Sequence, residues 1–270
     1  MRTIIHLSDL HFGTETPRIA ETLLAQLNAE PADLVAVSGD LTQRAKRREF
    51  RKAREFLDQL PMAQIVVPGN HDIPLYNVLA RLWRPLARYR NFITEDLAPF
   101  HLDSELAVAG VNTARPGKWK EGSISPSQVA RLGSQFRGAP AEVHKVLVAH
   151  HPFVPEKPGS RVSLVSGAEA ALHVLEDCGC ELILAGHLHR AYCGDVRPHY
   201  ARIKRTILVA QAGTAISRRR RNEANAYNRI TLDGESLTIE VHAWDGGKFA
   251  PAAATRFERQ PHGWARVAAA

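Results

Sequence analysis

Five short stretches of the 270-residue chain carry side chains that bind metals. They read Asp9-Leu10-His11, Gly39-Asp40, Gly69-Asn70-His71-Asp72, His150-His151 and Gly186-His187-Leu188-His189. Mixed carboxylate, imidazole and amide oxygen donors, with no cysteine among them, suit manganese, iron or zinc.

Each stretch directly follows a short apolar run of strand length, at 3–7, 34–37, 65–67, 146–149 and 182–185. Between the runs, apolar residues spaced three and four apart predict helices over 17–28, 47–60, 125–136 and 166–178. Strand alternating with helix predicts an α/β layered fold with a mostly buried sheet. In such sheets ligands bind at the carboxyl ends of the strands, so one crevice can collect all five stretches. Glycines before Asp40, Asn70 and His187 suit a chain that turns sharply on leaving a strand. Later, the runs 207–209, 227–232 and 237–243 predict strands without intervening helices, the last two joined by a turn at Asp233-Gly234. Residues 261–270 have little to bury and are expected to fray.

In this order, each after a strand, the stretches resemble the calcineurin-like metallophosphoesterase superfamily. The likeness spans roughly residues 1–245. Ser38-Gly39-Asp40-Leu41-Thr42 and Ala185-Gly186-His187-Leu188-His189 look most like the bacterial class III cyclic nucleotide phosphodiesterases and their glycerophosphodiesterase relatives. The resemblance implies an α/β fold, a four-layer αββα sandwich with two central mixed β-sheets flanked by helices. One domain would cover 1–250, with a cap-like helical insertion at 74–95, followed by a C-terminal tail at 251–270.

The resemblance also implies roles. Asp9, His11 and His189 would hold one divalent or trivalent transition metal ion, Asn70, His150 and His187 a second, and Asp40 would bridge both. Two such ions activate a bridging hydroxide and clamp the phosphoryl oxygens of an in-line displacement. His71, not a ligand in the family, is expected to stabilise the transition state or protonate the leaving alkoxide, with Asp72 orienting its ring. The implied activity is hydrolysis of a phosphodiester, first a 3′,5′-cyclic nucleotide. Glycerophosphodiesters, nucleotide-linked pyrophosphates and lipid-like diesters are the alternatives. No motif position departs from the family pattern, which argues against a scaffold that has lost its ligands.

The substrate must be read at the rim. Asn112 and Thr113 follow the run 106–111, where related phosphodiesterases carry an Asp-Thr pair. With His151 and Arg218 they are candidate substrate contacts. Arg218 opens a run of four arginines, either a solvated face or a grip on a second phosphate to which Asn225 and Tyr227 can contribute. His6, inside the first strand, reads as a buried, hydrogen-bonded histidine. His101, His144, His173, His199, His242 and His262 fall outside any spacing motif. Cys178 and Cys180, between a helix and a strand, read as small buried residues rather than zinc ligands.

Residues 75–93 place Leu75, Val78, Leu79, Leu82, Leu86 and Tyr89 at helical spacing, with Arg81, Arg84, Arg88 and Arg90 among them and no acid. Pro85 should break that helix. The plain expectation is a cap that packs its apolar face on the domain and leaves its arginines in water. The alternative is a basic amphipathic element for an anionic lipid surface, a large substrate or a second subunit.

Composition bounds the rest. Hydrophobic residues at 44% and charged residues at 23% exclude a largely disordered or collagen-like chain. The net charge of +7, concentrated in 75–93 and 197–221, fits an anionic partner. A small phosphate ester ranks above nucleic acid, because no stacking platform or nucleic-acid motif is evident. Three cysteines imply no disulfide framework, the N-terminus is no signal peptide, and no run reaches the roughly 18 apolar residues of a spanning helix. The expectation is a soluble cytoplasmic protein, with peripheral membrane contact and a homodimer left open.

Overall fold

The computed structural model describes residues 1–30, 32–156, 162–261 and 263–267, so His262 lies outside the described residues. In chain order the elements are β1 (Arg2–Leu7), α1 (Pro17–Ala29), β2 (Leu34–Ser38), α2 (Arg47–Leu57), β3 (Ala63–Val67), α3 (Val78–Trp83), α4 (Ala87–Phe92), β4 (Phe100–Leu102) and β5 (Leu106–Val111). They continue with α5 (Pro126–Gly138), β6 (His144–Ala149), α6 (Ala168–Asp177), β7 (Leu182–Ala185), β8 (Tyr192–Asp195), β9 (Leu208–Gln211), β10 (Ala226–Asp233), β11 (Ser236–Trp244), β12 (Phe249–Gln260) and β13 (Gly263–Arg266).

These strands form two mixed sheets. One has the order β13-β12-β11-β10-β1-β2-β3 and the other β4-β5-β6-β7-β9-β8. β1, β2 and β3 run parallel, as do β5, β6, β7 and β9, whereas β10 to β13 are antiparallel to their neighbours.

Period-two alternation along these strands builds the layers. Ile5, Leu7, Val35 and Val37 pack with Leu23 of α1 and Phe50 and Phe56 of α2. Their neighbours Ile4, Leu34 and Ala36 instead meet Val146, Val148, Leu182 and Leu184 of the opposite sheet. Ala109, Leu147 and Ile183 face the other way, toward Phe136 of α5 and Leu172 of α6. Three apolar interfaces separate four layers, so the expected αββα sandwich is observed, and the parallel strands are apolar on both faces.

Local signals set the helix starts. Ser125 caps α5: its hydroxyl accepts from Gln128 N at 3.3 Å while Gln128 Oε1 accepts from Ser125 N at 3.0 Å, with Pro126 at the first helical position. Buried Glu49 reaches back to Arg44 N at 2.8 Å and Lys46 N at 3.2 Å, closing the start of α2.

Two regions differ from expectation. The segment expected as a tail continues the first sheet: β12 pairs with β11, β13 pairs with β12, and Phe257 and Trp264 sit in the core between the sheets. Ala and Pro dilute the alternation of β12 because much of it is exposed, and Pro251 is accommodated where the register shifts opposite His242. In the insertion, the break expected at Pro85 separates α3 from α4. Only α4 packs as a cap, burying Tyr89, whose hydroxyl donates to Val66 O at 2.9 Å. No residue of α3 is buried.

Candidate metal centre

The loops after β1, β2 and β3 leave adjacent parallel strands, and those after β6 and β7 leave adjacent strands of the facing sheet. Backbone bonds tie them together: Asp9 N donates to Gly39 O at 3.1 Å, His11 N to Asp40 O at 2.9 Å, and Gly186 N to His150 O at 3.1 Å. The backbone is strained where it presents donors. Asp9, His11, Asp40, His187 and His189 all have positive φ, between 46° and 70°. L residues avoid this region, and surrounding structure must hold them there. Packing between loops is close enough that a side chain at Gly69 would overlap the Asp40 carboxylate, and one at Gly186 the Ser8 hydroxyl.

The donors converge in three overlapping groups, one of them His150, His151 and His187. Ligand atoms of Asp9, His11 and His189 lie within 4.8 Å of one another, as do those of Asp9, Asp40 and His150. Asp9 Oδ1 is 3.5 Å from both His11 Nε2 and His189 Nε2. On the other side, Asn70 Oδ1 is 3.0 Å from His150 Nε2 and from His187 Nδ1. Asp40 lies between, with Oδ2 3.6 Å from His11 Nε2 and Oδ1 3.4 Å from His150 Nε2.

Each carboxylate is held by one oxygen. Asp9 Oδ2 accepts from Ser8 Oγ at 2.7 Å and His187 N at 3.0 Å, and Asp40 Oδ1 accepts from His71 N at 2.8 Å. Their other oxygens, Asp9 Oδ1 and Asp40 Oδ2, are buried without a hydrogen-bond partner among the described residues, as is His11 Nε2. Unpaired buried polar atoms are costly, and three aimed into one space fit cations.

The imidazoles are set by their far nitrogens. His150 Nδ1 lies 2.8 Å from Ser38 O and His11 Nδ1 3.3 Å from Thr42 O; a carbonyl only accepts, so each Nδ1 carries the proton. Thr214 Oγ1 donates to Arg219 O at 2.9 Å, so it accepts from His189 Nδ1 at 2.7 Å. The Nε2 lone pairs of His11, His150 and His189 therefore face the centre, whereas His187 turns its Nδ1 toward Asn70. Burial pushes His11 down to about 4 and His187 to about 3, and lowers His150, keeping these rings in the neutral form a metal binds. Burial, with Asp9 and Asp72 nearby, pushes Asp40 well above the usual carboxylate range.

Beside the donors opens a crevice of about 380 Å³, whose walls include His71, Trp119, Lys120, Arg219 and Arg221. His71 Nδ1 donates to Gln43 O at 2.9 Å, and its Nε2 accepts from Arg219 Nη1 at 2.8 Å. Burial, with His11 and Arg219 close by, pushes the ring down to about 2.

Comparison with known proteins decides the family. The profile of the calcineurin-like phosphoesterases matches residues 2–191. The chain belongs to the calcineurin-like phosphoesterase family. It is similar to a probable cyclic nucleotide phosphodiesterase from Synechococcus sp., 22% identical over 212 residues, covering 70% of this chain and 74% of that protein. A glycerophosphodiester phosphodiesterase from Enterobacter lignolyticus is 26% identical over 163 residues, which are 56% of this chain and 57% of the relative. In fold, a purple acid phosphatase from yellow lupin gives a TM-score of 0.73 at 10% identity, over 96% of this chain and 54% of its own. A dimetal phosphatase from Danio rerio gives 0.64 at 14% identity, over 90% and 96%. The chain thus spans just over half the length of the lupin and Enterobacter proteins. This phosphoesterase is a metal-dependent phosphoester hydrolase, and its Asp and His clusters fit the dinuclear centre of the family.

Several residues of the phosphoesterase sit differently from expectation. Among the described residues, Asp72 makes no hydrogen bond to the His71 ring. Its carboxylate accepts from Leu41 N, Thr42 N, Thr42 Oγ1 and Gly69 N at 2.9 to 3.2 Å, clamping the loops after β2 and β3 together. Burial pushes it up to about 6 against those donors. Arg218 lies in a separate cleft with Glu15, Lys52 and Arg48, and the crevice takes Arg219 and Arg221 instead. Asn112 is buried, its Oδ1 accepting from Ala114 N at 2.9 Å. Thr113 and His151 are also fully buried. Thr113 Oγ1 donates to His151 Nδ1 at 2.7 Å, and His151 Nε2 is 3.5 Å from Trp119 O, so the pair props the Trp119 loop. Asn225 bonds Thr214 O and Ser217 O, and Tyr227 is buried in the helix-facing core. As expected, His6 is fully buried between Ser38 Oγ at 2.9 Å and Asn228 Nδ2 at 3.2 Å, and Cys178 and Cys180 are buried in the core under α5 and α6. Trp119 and Lys120 escaped the sequence reading, which flagged the run 218–221 but picked Arg218 from it rather than Arg219 and Arg221.

Proposed function

We propose that the enzyme hydrolyses phosphodiesters at a two-ion centre, with 3′,5′-cyclic nucleotides as the leading substrate class. The observation that carries the two-ion part of this reading is the convergence of the unpaired, buried Asp9 Oδ1, His11 Nε2 and Asp40 Oδ2, whereas the diester and the cyclic nucleotide rest on the likeness to the Synechococcus and Enterobacter phosphodiesterases. Asp9, His11 and His189 hold one ion, Asn70, His150 and His187 the other, and Asp40, flanked by His11 and His150, serves both. Manganese, iron and zinc all suit this donor set. When bound, two such ions act as Lewis acids on phosphoryl oxygens and make water a better nucleophile.

The protein supplies the remaining parts. Ser8 and the His187 amide orient the Asp9 carboxylate, and the His71 amide orients that of Asp40. His71 keeps its proton on Nδ1, bound to Gln43 O, and presents only an acceptor at Nε2. Arg219 therefore supplies the donor toward a substrate oxygen, and His71 positions that guanidinium. The Trp119 ring lies 5.5 Å from the His71 ring and offers a face for a base, with Lys120 and Arg221 beside it for phosphate. The free Cys178, Cys180 and Cys193 support a place in the reducing cytoplasm.

A panel of 3′,5′- and 2′,3′-cyclic nucleotides, glycerophosphodiesters, single-stranded DNA, chromogenic diesters and chromogenic monoesters tests the reading. The expected result is a kcat/KM for a diester at least about tenfold above that for the matched monoester. Faster monoester hydrolysis would overturn the diester assignment.

A further inference from the structure

The insertion after the Asn70 loop exposes what a folded domain ordinarily hides. Tyr76, Val78, Leu79, Leu82 and Trp83 are 60% to 83% exposed, and they lie within eight residues on or beside α3. Large apolar side chains clustered on a surface mark an interaction site. Two grooves flank Trp83. One, of about 570 Å³, is lined by Arg47, Leu79, Trp83, Arg84 and Arg88 among others. The second, of about 450 Å³, adds Arg90 and Arg115 around Leu86 and Leu97. Neither groove has a carboxylate in its wall, and these arginines make no ion pair among the described residues.

From this surface we infer that α3 and its flanking arginines dock the protein on an anionic lipid bilayer. Leu79, Leu82 and Trp83 would enter the interface while Arg84 and Arg90 meet the headgroups, the usual division of labour of an interfacial amphipathic segment. Charge complementarity favours this occupant over a second copy of the chain. An isologous contact through this face would set Arg84, Arg88 and Arg90 of one copy against the same residues of the other. Nucleic acid would satisfy the arginines and leave Val78, Leu79 and Leu82 without a match. The docking face also touches the crevice wall: the Arg81 guanidinium lies 5.0 Å over the Trp119 ring and donates to Pro116 O, and Trp119 in turn faces His71.

Co-sedimentation with vesicles tests the inference independently of any activity. Vesicles of equal phosphatidylglycerol and phosphatidylcholine should bind the full chain at least about tenfold more tightly than phosphatidylcholine alone, with binding weakened by salt. Leu79→Glu with Trp83→Ala, at exposed positions, should lower that binding about tenfold or more while leaving far-UV circular dichroism and the melting temperature unchanged. Arg84→Gln with Arg90→Gln should abolish the preference for the anionic lipid. Equal binding to both vesicle types would overturn the inference. So would wild-type binding by both double variants. A dimer in sedimentation velocity, or capture of single-stranded DNA, that Leu79→Glu with Trp83→Ala abolishes would assign the face to that occupant instead.

Discussion

In the donor cluster beside the crevice, Asp9, His11, Asp40 and His150 are polar and almost wholly buried; in α3, Leu79, Leu82 and Trp83 are apolar and mostly in water. The two regions adjoin through Trp119 and Arg81. Both depart from the rule that apolar groups go inside, in opposite directions, and the surroundings of each differ. The donor cluster is over-determined, with inter-loop backbone bonds, positive-φ donors and a hydrogen bond on each carboxylate and each Nδ1 of His11, His150 and His189. The face of α3 has no such partners among the described residues. Buried polarity that is held rigidly points to chemistry inside the fold, whereas exposed apolarity points to a partner outside it.

That contrast can be tested most severely at its rigid end. Asp40→Ala removes the carboxylate proposed to serve both ions and should lower turnover by about 10³-fold or more, with loss of bound metal by elemental analysis. His71→Ala and Arg219→Gln alter the crevice wall but remove no proposed ligand. Each should lower kcat by about 10²-fold while metal content stays at the wild-type level. Arg218→Gln sharpens the comparison within the arginine run, since its side chain lies in another cleft. Its kcat and KM should stay within about twofold of wild type, and an effect as large as that of Arg219→Gln would place the substrate differently.

The smallest expected effect concerns pH and lies beneath the crevice. Burial holds His6 at about 3, below its ordinary 6.5, so the folded state binds it neutral. Its contribution to stability is complete above pH 6.5 and is lost as pH falls from there toward 3. Thermal melts should show a decline on acidification across that window, and His6→Gln should make the decline shallower.

The pattern of success in reading the sequence follows from which signals are local. The donors were legible because each sits directly after a strand, and parallel strands deliver their carboxyl ends to one side of the sheet. Asp9 and His189 meet across 180 positions because the two sheets also pack face to face with those ends together. Arg219 was not legible, because four identical arginines carry no phase. The bond from Arg218 N to Thr14 O fixes which one turns toward His71. Trp119 was hidden for a different reason: it lies on a loop, and the Thr113 and His151 side chains that support it gave no spacing signal. β12 was missed because an exposed strand need not alternate. The apolar spacing of 75–93 was read correctly as helical, yet periodicity cannot say whether an apolar face is covered, and only α4 found a surface to bury against.

The central claim is that the buried donors hold two ions. Metal content of the purified, full-length protein after supplementation with manganese, iron or zinc tests it most directly. The account predicts about two transition metal ions per chain. Fewer than about one, under every supplementation, would contradict it.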